Sequence, residues 1–333
     1  MTRAGHLFET IASFENLLAA WDDARRGKGG KPGLTRFAFA LESQLHRIRA
    51  ELMDGSYRFG PYRVFQVCDT KPRRIVAAPF RDRVVHHAVC RVVEPLLDAT
   101  LVADTFACRR GKGTLAAMKR VRQFVRAVPH GYALKCDVRR YFASIDRGTL
   151  LALLARKIKD PPLLDLLCRL VDSAPLGEAG PGKGIPIGNL TSQVFANAYL
   201  SPIDHLIKEG LRVRRYARYV DDLVVVDASK ERLWEVADAV AAGLTGLGLA
   251  LHPRKVSVRP VTSGVDFVGY VVFADTVRMR GANVLRFRRH ERWLRREVAA
   301  GRRTAADYWS SIDGWVGHAV HARTRGLIAT LLS

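Results

Sequence analysis

RRYARYVDDLVVVDA, residues 214–228, decides how this chain is read. Apolar, β-rich residues flank the polar dipeptide Asp221-Asp222, and Leu223-Val224-Val225-Val226 follow at once. The pattern predicts a hairpin with buried strands. A carboxylate held beside a buried strand is costly unless a cation compensates it. The plainer reading is a polar hairpin turn that contains aspartate, and a four-residue match is short enough to arise by chance.

A second carboxylate lies upstream. YALKCDV, 132–138, alternates Tyr132, Leu134, Cys136 and Val138 with Ala133, Lys135 and Asp137. Such alternation marks a half-buried strand with Asp137 on its polar face. If this strand lies beside the hairpin, Asp137 and Asp221 can share two divalent ions. Two ions about 4 Å apart activate a 3′-hydroxyl and neutralise a leaving pyrophosphate. Magnesium suits an all-carboxylate, partly hydrated site.

Composition supports an acidic polymer as partner. The 333 residues carry 54 Lys+Arg against 32 Asp+Glu, a formal charge of +22. Folding does not need that imbalance, and nucleic acid is its usual reason. A general arginine bias is the alternative. The apolar content of 48% is that of a core-forming protein. No uncharged apolar stretch of about 18 residues exists, so no membrane span is expected. Glu9, Glu15, Asp22 and Asp23 interrupt the apolar pattern of the start, which therefore does not read as a signal peptide. Cys68, Cys90, Cys108, Cys136 and Cys168 are scattered singly, without zinc-ligand spacing or a disulfide framework. A cytoplasmic location is the expectation.

Periodicity predicts helices over 6–26, 36–53, 81–100, 114–128, 147–158, 190–209 and 230–247. Short strands are expected at Val64–Val67 and Arg74–Ala77, and one strand over 265–273. From 284 the chain reads as helical and very basic. Residues 278–333 set twelve arginines against Glu291, Glu297, Asp307 and Asp313.

Taken in order, these blocks resemble the reverse transcriptases. KPRRIVAAPFRDRVVHHAV (71–89) and DTFACRRGKGTLAA (104–117) look like the two fingers motifs. LKCDVRRYFASI (134–145) looks like the first palm motif, GIPIGNLTSQVFANAYL (184–200) like the loop-helix motif, and RYVDD (218–222) like the palm hairpin. LGLALHPRKV (247–256) and FVGYVV (267–272) resemble the last two palm motifs. The resemblance implies an α/β (α+β) right-hand polymerase. Its parts would be an N-terminal helical extension at 1–30, fingers at 31–130, a palm with an antiparallel sheet at 131–275, and a basic helical thumb at 276–333. It implies RNA-templated DNA synthesis with two Mg2+ ions, Mn2+ being the alternative ion. Template RNA, primer or cDNA and deoxynucleoside triphosphates would be the partners.

Within that superfamily the chain is most similar to reverse transcriptases of diversity-generating retroelements. Its thumb is short and basic and no endonuclease is evident. The loop reads IGNLTSQ where most reverse transcriptases have QGxxxSP, and GWVGHAVHARTRGL (314–327) looks like that group's thumb ending. The group implies adenine-directed errors and a small, basic accessory protein. Group II intron-like enzymes are the main alternative. Retron enzymes carry a VTG signature, from which Val261-Thr262-Ser263 departs. The remaining rivals are an RNA-dependent RNA polymerase and a maturase-like RNA-binding protein that has lost polymerisation.

The resemblance assigns roles to residues. Asp137, Asp221 and Asp222 form the catalytic and metal set, joined by the backbone carbonyl of Val138. Phe142 is a bulky gate against a ribose 2′-hydroxyl, with Tyr141 the neighbouring core residue or the gate in its place. Lys71, Arg73 and Arg74 form a basic run that cradles the triphosphate, and which of them points inward stays open. Lys255, Ile187 and Gly188 fall near the nucleotide. Asn189 is equally readable as a helix N-cap. Tyr219, Arg109, Arg110 and Lys112 are primer or template contacts.

Overall fold

The computed structural model describes residues 3–27, 29–30, 32–68, 72–175 and 180–332. Lys71, one of the expected triphosphate contacts, lies outside the described residues, as does the side chain of Arg73. Nine strands form among the described residues: β1 (Arg63–Cys68), β2 (Pro72–Ala77), β3 (Tyr132–Asp137), β4 (Tyr216–Tyr219), β5 (Asp222–Asp227), β6 (Ser257–Pro260), β7 (Val265–Phe267), β8 (Tyr270–Val272) and β9 (Val277–Met279). All pair antiparallel. β1 and β2 form a hairpin, β4-β5-β3-β6 a four-stranded sheet, and β7-β8-β9 a three-stranded sheet.

The chain folds as two compact units. One unit comprises Met1–Ala103, Val138–Leu206 and Ala241–Ala250. It is mostly helical and contains the β1–β2 hairpin. The helix Phe80–Asp98 buries Val84, Val85, Ala88, Val89 and Val93 along one face, as its spacing predicts. The expected helix at 6–26 is two helices, Phe8–Ala12 and Phe14–Arg25. Ser13 adopts extended dihedrals between them and its hydroxyl accepts the Asn16 N–H at 3.2 Å. A serine cap inside an apolar repeat is invisible to periodicity alone. The 36–53 helix likewise divides at Ala40 into Pro32–Phe39 and Leu41–Met53. A further helix, Pro161–Asp172, begins with two prolines, which its first turn tolerates. Asp160 caps it by accepting from Leu163 N at 3.2 Å, and also accepts from Phe8 N at 3.0 Å.

The other unit comprises Asp104–Asp137, Ile207–Val240 and Leu251–Ser333. It holds both larger sheets. Val224 and Val226 of β5, Val121 and Phe124 of the helix Thr114–Ala127, and Phe267, Tyr270 and Val272 share one apolar cluster. The β-branched run of β5 suits a strand covered on both faces. The expected strand at 265–273 is instead β7 and β8, folded back at Val268-Gly269, where φ is +45° and +91°. Two positive φ values define the tight hairpin turn that glycine favours. Apolar runs on both sides of a two-residue turn read as one strand when the turn carries a single glycine. The basic C-terminal segment forms the helices Gly281–Ala299, Ala305–Ala319 and Arg325–Leu332. Phe287 and Trp315 stack at 4.2 Å between the first two. No helix among the described residues is long and apolar enough to cross a membrane.

Candidate active site

β3 and β5 are direct neighbours, and their register sets Asp137 opposite Asp222. β4 and β5 are joined through Val220-Asp221, with Tyr219 opposite Asp222. Asp137, Asp221 and Asp222, from two distant segments, thus fall at one end of one sheet.

The turn is strained. Val220 has φ +56° and Asp221 does not share the positive sign. Glycine is the usual residue at such a first turn position, and a β-branched side chain there costs on the order of 1–3 kcal/mol. A fully buried arginine compensates part of this. Arg218 is 0% exposed and its Nη1 donates to the Val220 carbonyl at 2.9 Å. Its own backbone N–H donates to Asp104 O at 3.0 Å, and its carbonyl accepts from Phe106 N at 3.0 Å. The outer edge of β4 is therefore covered rather than open. Asp104 is anchored in turn by Arg120 Nε at 2.7 Å and Lys208 Nζ at 2.8 Å.

Two lysines face the carboxylates. Lys255 Nζ lies 2.7 Å from Asp137 Oδ2, and Lys135 Nζ lies 3.3 Å from Asp222 Oδ2. His252 N donates to Asp137 O at 2.7 Å, which ties the Lys255 loop to β3. Burial, and then the negative charge of Asp137, push the Asp221 carboxyl up to about 6. Burial also pushes Asp222 up to about 6, against the pull of Lys135. Burial raises the Cys136 thiol to about 12, so that it acts as a small apolar residue.

Repelling carboxylates with raised pKa values are what a hard divalent cation relieves. Asp222 Oδ1 is buried with no hydrogen-bond partner among the described residues, so the donor set fits such an ion. Among the described residues no three acidic, His or Cys side chains converge closely enough to form a finished ion cage. The two lysines hold two of the carboxylates instead.

Lys255 and Tyr219 belong to the same unit as the aspartates, and Tyr219 packs against its apolar cluster. So do Arg109, Arg110 and Lys112. Arg110 is exposed, Arg109 donates to Thr105 O at 3.0 Å, and Lys112 lies over the Phe106 ring at 5.2 Å.

Phe142, Ile187, Gly188, Arg74 and Val138 belong to the other unit. Tyr141 is 2% exposed and its hydroxyl donates to Ala196 O, which makes it the core residue of the pair. Phe142 is half-buried and meets the Tyr141 ring edge-on at 5.5 Å. Ile187 is 37% exposed, so core packing is not its role, and its carbonyl accepts from Val76 N at 3.0 Å. Gly188 has φ +123°, and a Cβ there would sit 3.1 Å from Ile75 Cγ2, so the loop passes close over β2 only as glycine. Asn189 does not cap the following helix with its side chain. Its Oδ1 accepts from Ala78 N at 3.3 Å inside the unit. Arg74 is exposed and Val138 buried.

Sequence reasoning did not assign Arg218, Asp266 or Arg280, and noted Lys135 only for its position on the polar face of β3. Lys135 Nζ donates to Asp266 O at 2.7 Å, and Arg280 pairs with the Asp266 carboxylate. These contacts join segments far apart in the chain. The one local signal is the charge of Lys135 alternating with Asp137.

Residues 68–272 match the family described as reverse transcriptase (RNA-dependent DNA polymerase), more than half of the chain, and the chain belongs to that family. Its relatives include the putative COX1/OXI3 intron 1 protein of Saccharomyces cerevisiae, 22% identical over 175 residues, covering 51% of this chain and 21% of that protein. Another is the group II intron-encoded protein LtrA of Lactococcus lactis subsp. cremoris, 26% identical over 173 residues, covering 50% of this chain and 28% of that protein. The matched region thus spans less than a third of each relative's length. Among solved structures, apo telomerase from Candida tropicalis, truncated from its C-terminal domain, superposes with a TM-score of 0.51. That likeness has 14% identity and covers 67% of this chain and 55% of that one. The fold is accordingly the right-hand polymerase fold, a mixed helix and sheet architecture.

Proposed function

We propose that this chain is an RNA-directed DNA polymerase. The observation that carries the reading is the register of Asp137 opposite Asp222, with Asp221 in the adjoining turn. The primer 3′-hydroxyl attacks the α-phosphate of a deoxynucleoside triphosphate, and pyrophosphate leaves. Divalent ions, Mg2+ first and Mn2+ as the alternative, activate the hydroxyl and neutralise the leaving group when bound. Asp137, Asp221, Asp222 and the Val138 carbonyl would hold them. Lys255 neutralises Asp137 until then. In the same reading Lys71, Arg73 and Arg74 cradle the triphosphate, and Ile187 and Gly188 contact the nucleotide. Tyr219, Arg109, Arg110 and Lys112 meet primer or template. Fingers at 31–130, palm at 131–275 and thumb at 276–333 belong to the proposal. The charge of +22 supports nucleic acid as partner. Incubation with template RNA, DNA primer and labelled nucleotides tests the reading: extension dependent on divalent ion is expected, and no extension with any template refutes it.

The proposal extends to the type of element served. The IGNLTSQ loop and the GWVGHAVHARTRGL ending support a diversity-generating retroelement, with error-prone copying at template adenines and a small basic accessory protein. The intron-encoded relatives favour a group II intron-like enzyme as the second reading. Ile187 separates the two. An exposed isoleucine offers a nucleotide only apolar contact where glutamine would offer a hydrogen bond, worth about 0.5–1.5 kcal/mol net. Ile187→Gln should lower misincorporation opposite adenine in cDNA sequenced from one adenine-rich template. Low and equal adenine error rates in both enzymes favour the intron-like reading.

Phe142 is proposed as the sugar gate, because its neighbour Tyr141 is the buried anchor. Phe142→Ala should raise ribonucleotide incorporation about tenfold or more in a competition assay, since the blocking volume is gone. Unchanged selectivity would assign the gate elsewhere.

A further inference from the structure

Lys135 lies on the polar face of β3, in register with Val224 of β5 and Ser257 of β6. Its ammonium is shared between two acids. Nζ lies 3.3 Å from Asp222 Oδ2, donates to the Asp266 carbonyl at 2.7 Å, and stands 4.0 Å from Asp266 Oδ1. Arg280, which immediately precedes the helix Gly281–Ala299, pairs with the Asp266 carboxylate at that same Oδ1. Charges thus alternate along Asp222, Lys135, Asp266 and Arg280. The four residues line one cavity of about 390 Å³ together with Asp137 and Lys255. The Lys135 side chain is 26% exposed, so solvent screens this pair less than it would a surface pair.

The partition of the Asp222 oxygens makes the arrangement specific. Oδ2 faces Lys135, while Oδ1 is buried with no hydrogen-bond partner among the described residues. A lysine that holds one carboxylate oxygen fixes the direction of the other. It also adds a positive charge within reach of any cation that the carboxylate binds, and so weakens that binding. Asp266 and Arg280 decide how much of the lysine's charge Asp222 feels.

We infer that Lys135 is a positioning residue that aims Asp222 and sets the divalent-ion affinity of the carboxylate set, with Asp266 drawing its charge away from Asp222. The inference rests on the polymerase reading, but its first readout does not need polymerisation.

The test uses the full chain and Mn2+ alone, with free Mn2+ followed by electron paramagnetic resonance and no nucleic acid or nucleotide present. Lys135→Met should raise Mn2+ affinity about threefold to tenfold, because a competing charge is removed. The same variant should lower kcat for primer extension about tenfold, because Asp222 is no longer aimed. Tighter ion binding with slower turnover is a split that general damage to the fold does not produce. Lys135→Arg should restore Mn2+ affinity. Asp266→Asn should act in the opposite direction and weaken Mn2+ binding about twofold to threefold, since it leaves the cations uncompensated. Mn2+ affinity unchanged in both Lys135→Met and Asp266→Asn, or moved the same way by both, overturns the inference. If Lys135→Met does not fold, Asp266→Asn decides, because that side chain is 45% exposed; unchanged or tighter Mn2+ binding there overturns the inference. The expected Mn2+ shifts in a chain that extends no primer would refute the polymerase reading instead.

Discussion

Two tight turns in the same unit are built on valine and serve opposite ends. The β7–β8 turn, Val268-Gly269, gives its second place to glycine, and both residues take positive φ. The β4–β5 turn, Val220-Asp221, gives its second place to a carboxylate, and only Val220 takes positive φ. The first turn is closed by packing. A Cβ on Gly269 would sit 3.0 Å from Asn283 Nδ2 and 3.5 Å from His318 Nε2. The second is held from within by Arg218, whose guanidinium donates to the Val220 carbonyl. Both turns carry a valine at positive φ; the first follows it with a glycine that suits positive φ, the second with an unfavourable carboxylate. Such costs persist where surrounding structure enforces them, and they concentrate at functional sites.

The comparison breaks most sharply at Asp221. Asp221→Asn should cut primer extension at least about a thousandfold, about 4 kcal/mol of barrier, while far-ultraviolet circular dichroism and RNA binding stay as in the wild type. Retained extension would reduce the strained turn to a structural detail.

The same substitution should stabilise the protein in buffer with a chelator. The Asp221 carboxyl is raised to about 6 from an ordinary 3.8, so its ionised form is disfavoured in the fold. That cost is fully present above pH 6 and vanishes as the pH falls through 6 toward 3.8. Asn does not ionise. Asp221→Asn should therefore gain roughly 1–2 kcal/mol at pH 8, after discount for the partial exposure of the group, and about nothing near pH 4. Thermal melts at the two pH values check this, and an equal gain at both would remove the carboxylate charge as its cause.

Gly269 should behave in the reverse manner. Gly269→Ala forces a Cβ into a close contact at positive φ and should cost about 1–2 kcal/mol in denaturant unfolding at either pH. A neutral result would mean that Asn283 and His318 move aside freely.

The smallest effect is expected at Val220. Val220→Gly relieves the turn but adds backbone freedom to the unfolded chain, so net stability should change by less than about 1 kcal/mol. Extension should still fall about tenfold, because Asp221 loses its fixed direction. Full activity in this variant would show that strain at Val220 is incidental to catalysis.

Much of the site was legible because its chemistry is carried by residue types in local strand patterns. Asp137 ends an alternating strand and Asp221-Asp222 interrupt an apolar run, so side-chain period and burial cost already mark them. The net charge of +22 raises the expectation of a polyanionic partner without any coordinates. The order of the motifs marks the family. The structure then decided matters that no local window contains. The register that sets Asp137 opposite Asp222 depends on which strands pair. The serine and aspartate caps that start helices at Ser13 and Asp160 act through side-chain hydrogen bonds to the first turn, which periodicity averages away. Arg218 has no role assigned from the sequence, yet it is fully buried beneath the turn. Lys135, Asp266 and Arg280 become one alternating chain of charge only when β3, β7 and the start of the Gly281–Ala299 helix meet. The physical reason is range. Propensity and side-chain alternation are fixed by near neighbours along the chain, whereas pairing register, burial of a charge and its counter-charge are set by residues that only folding brings together.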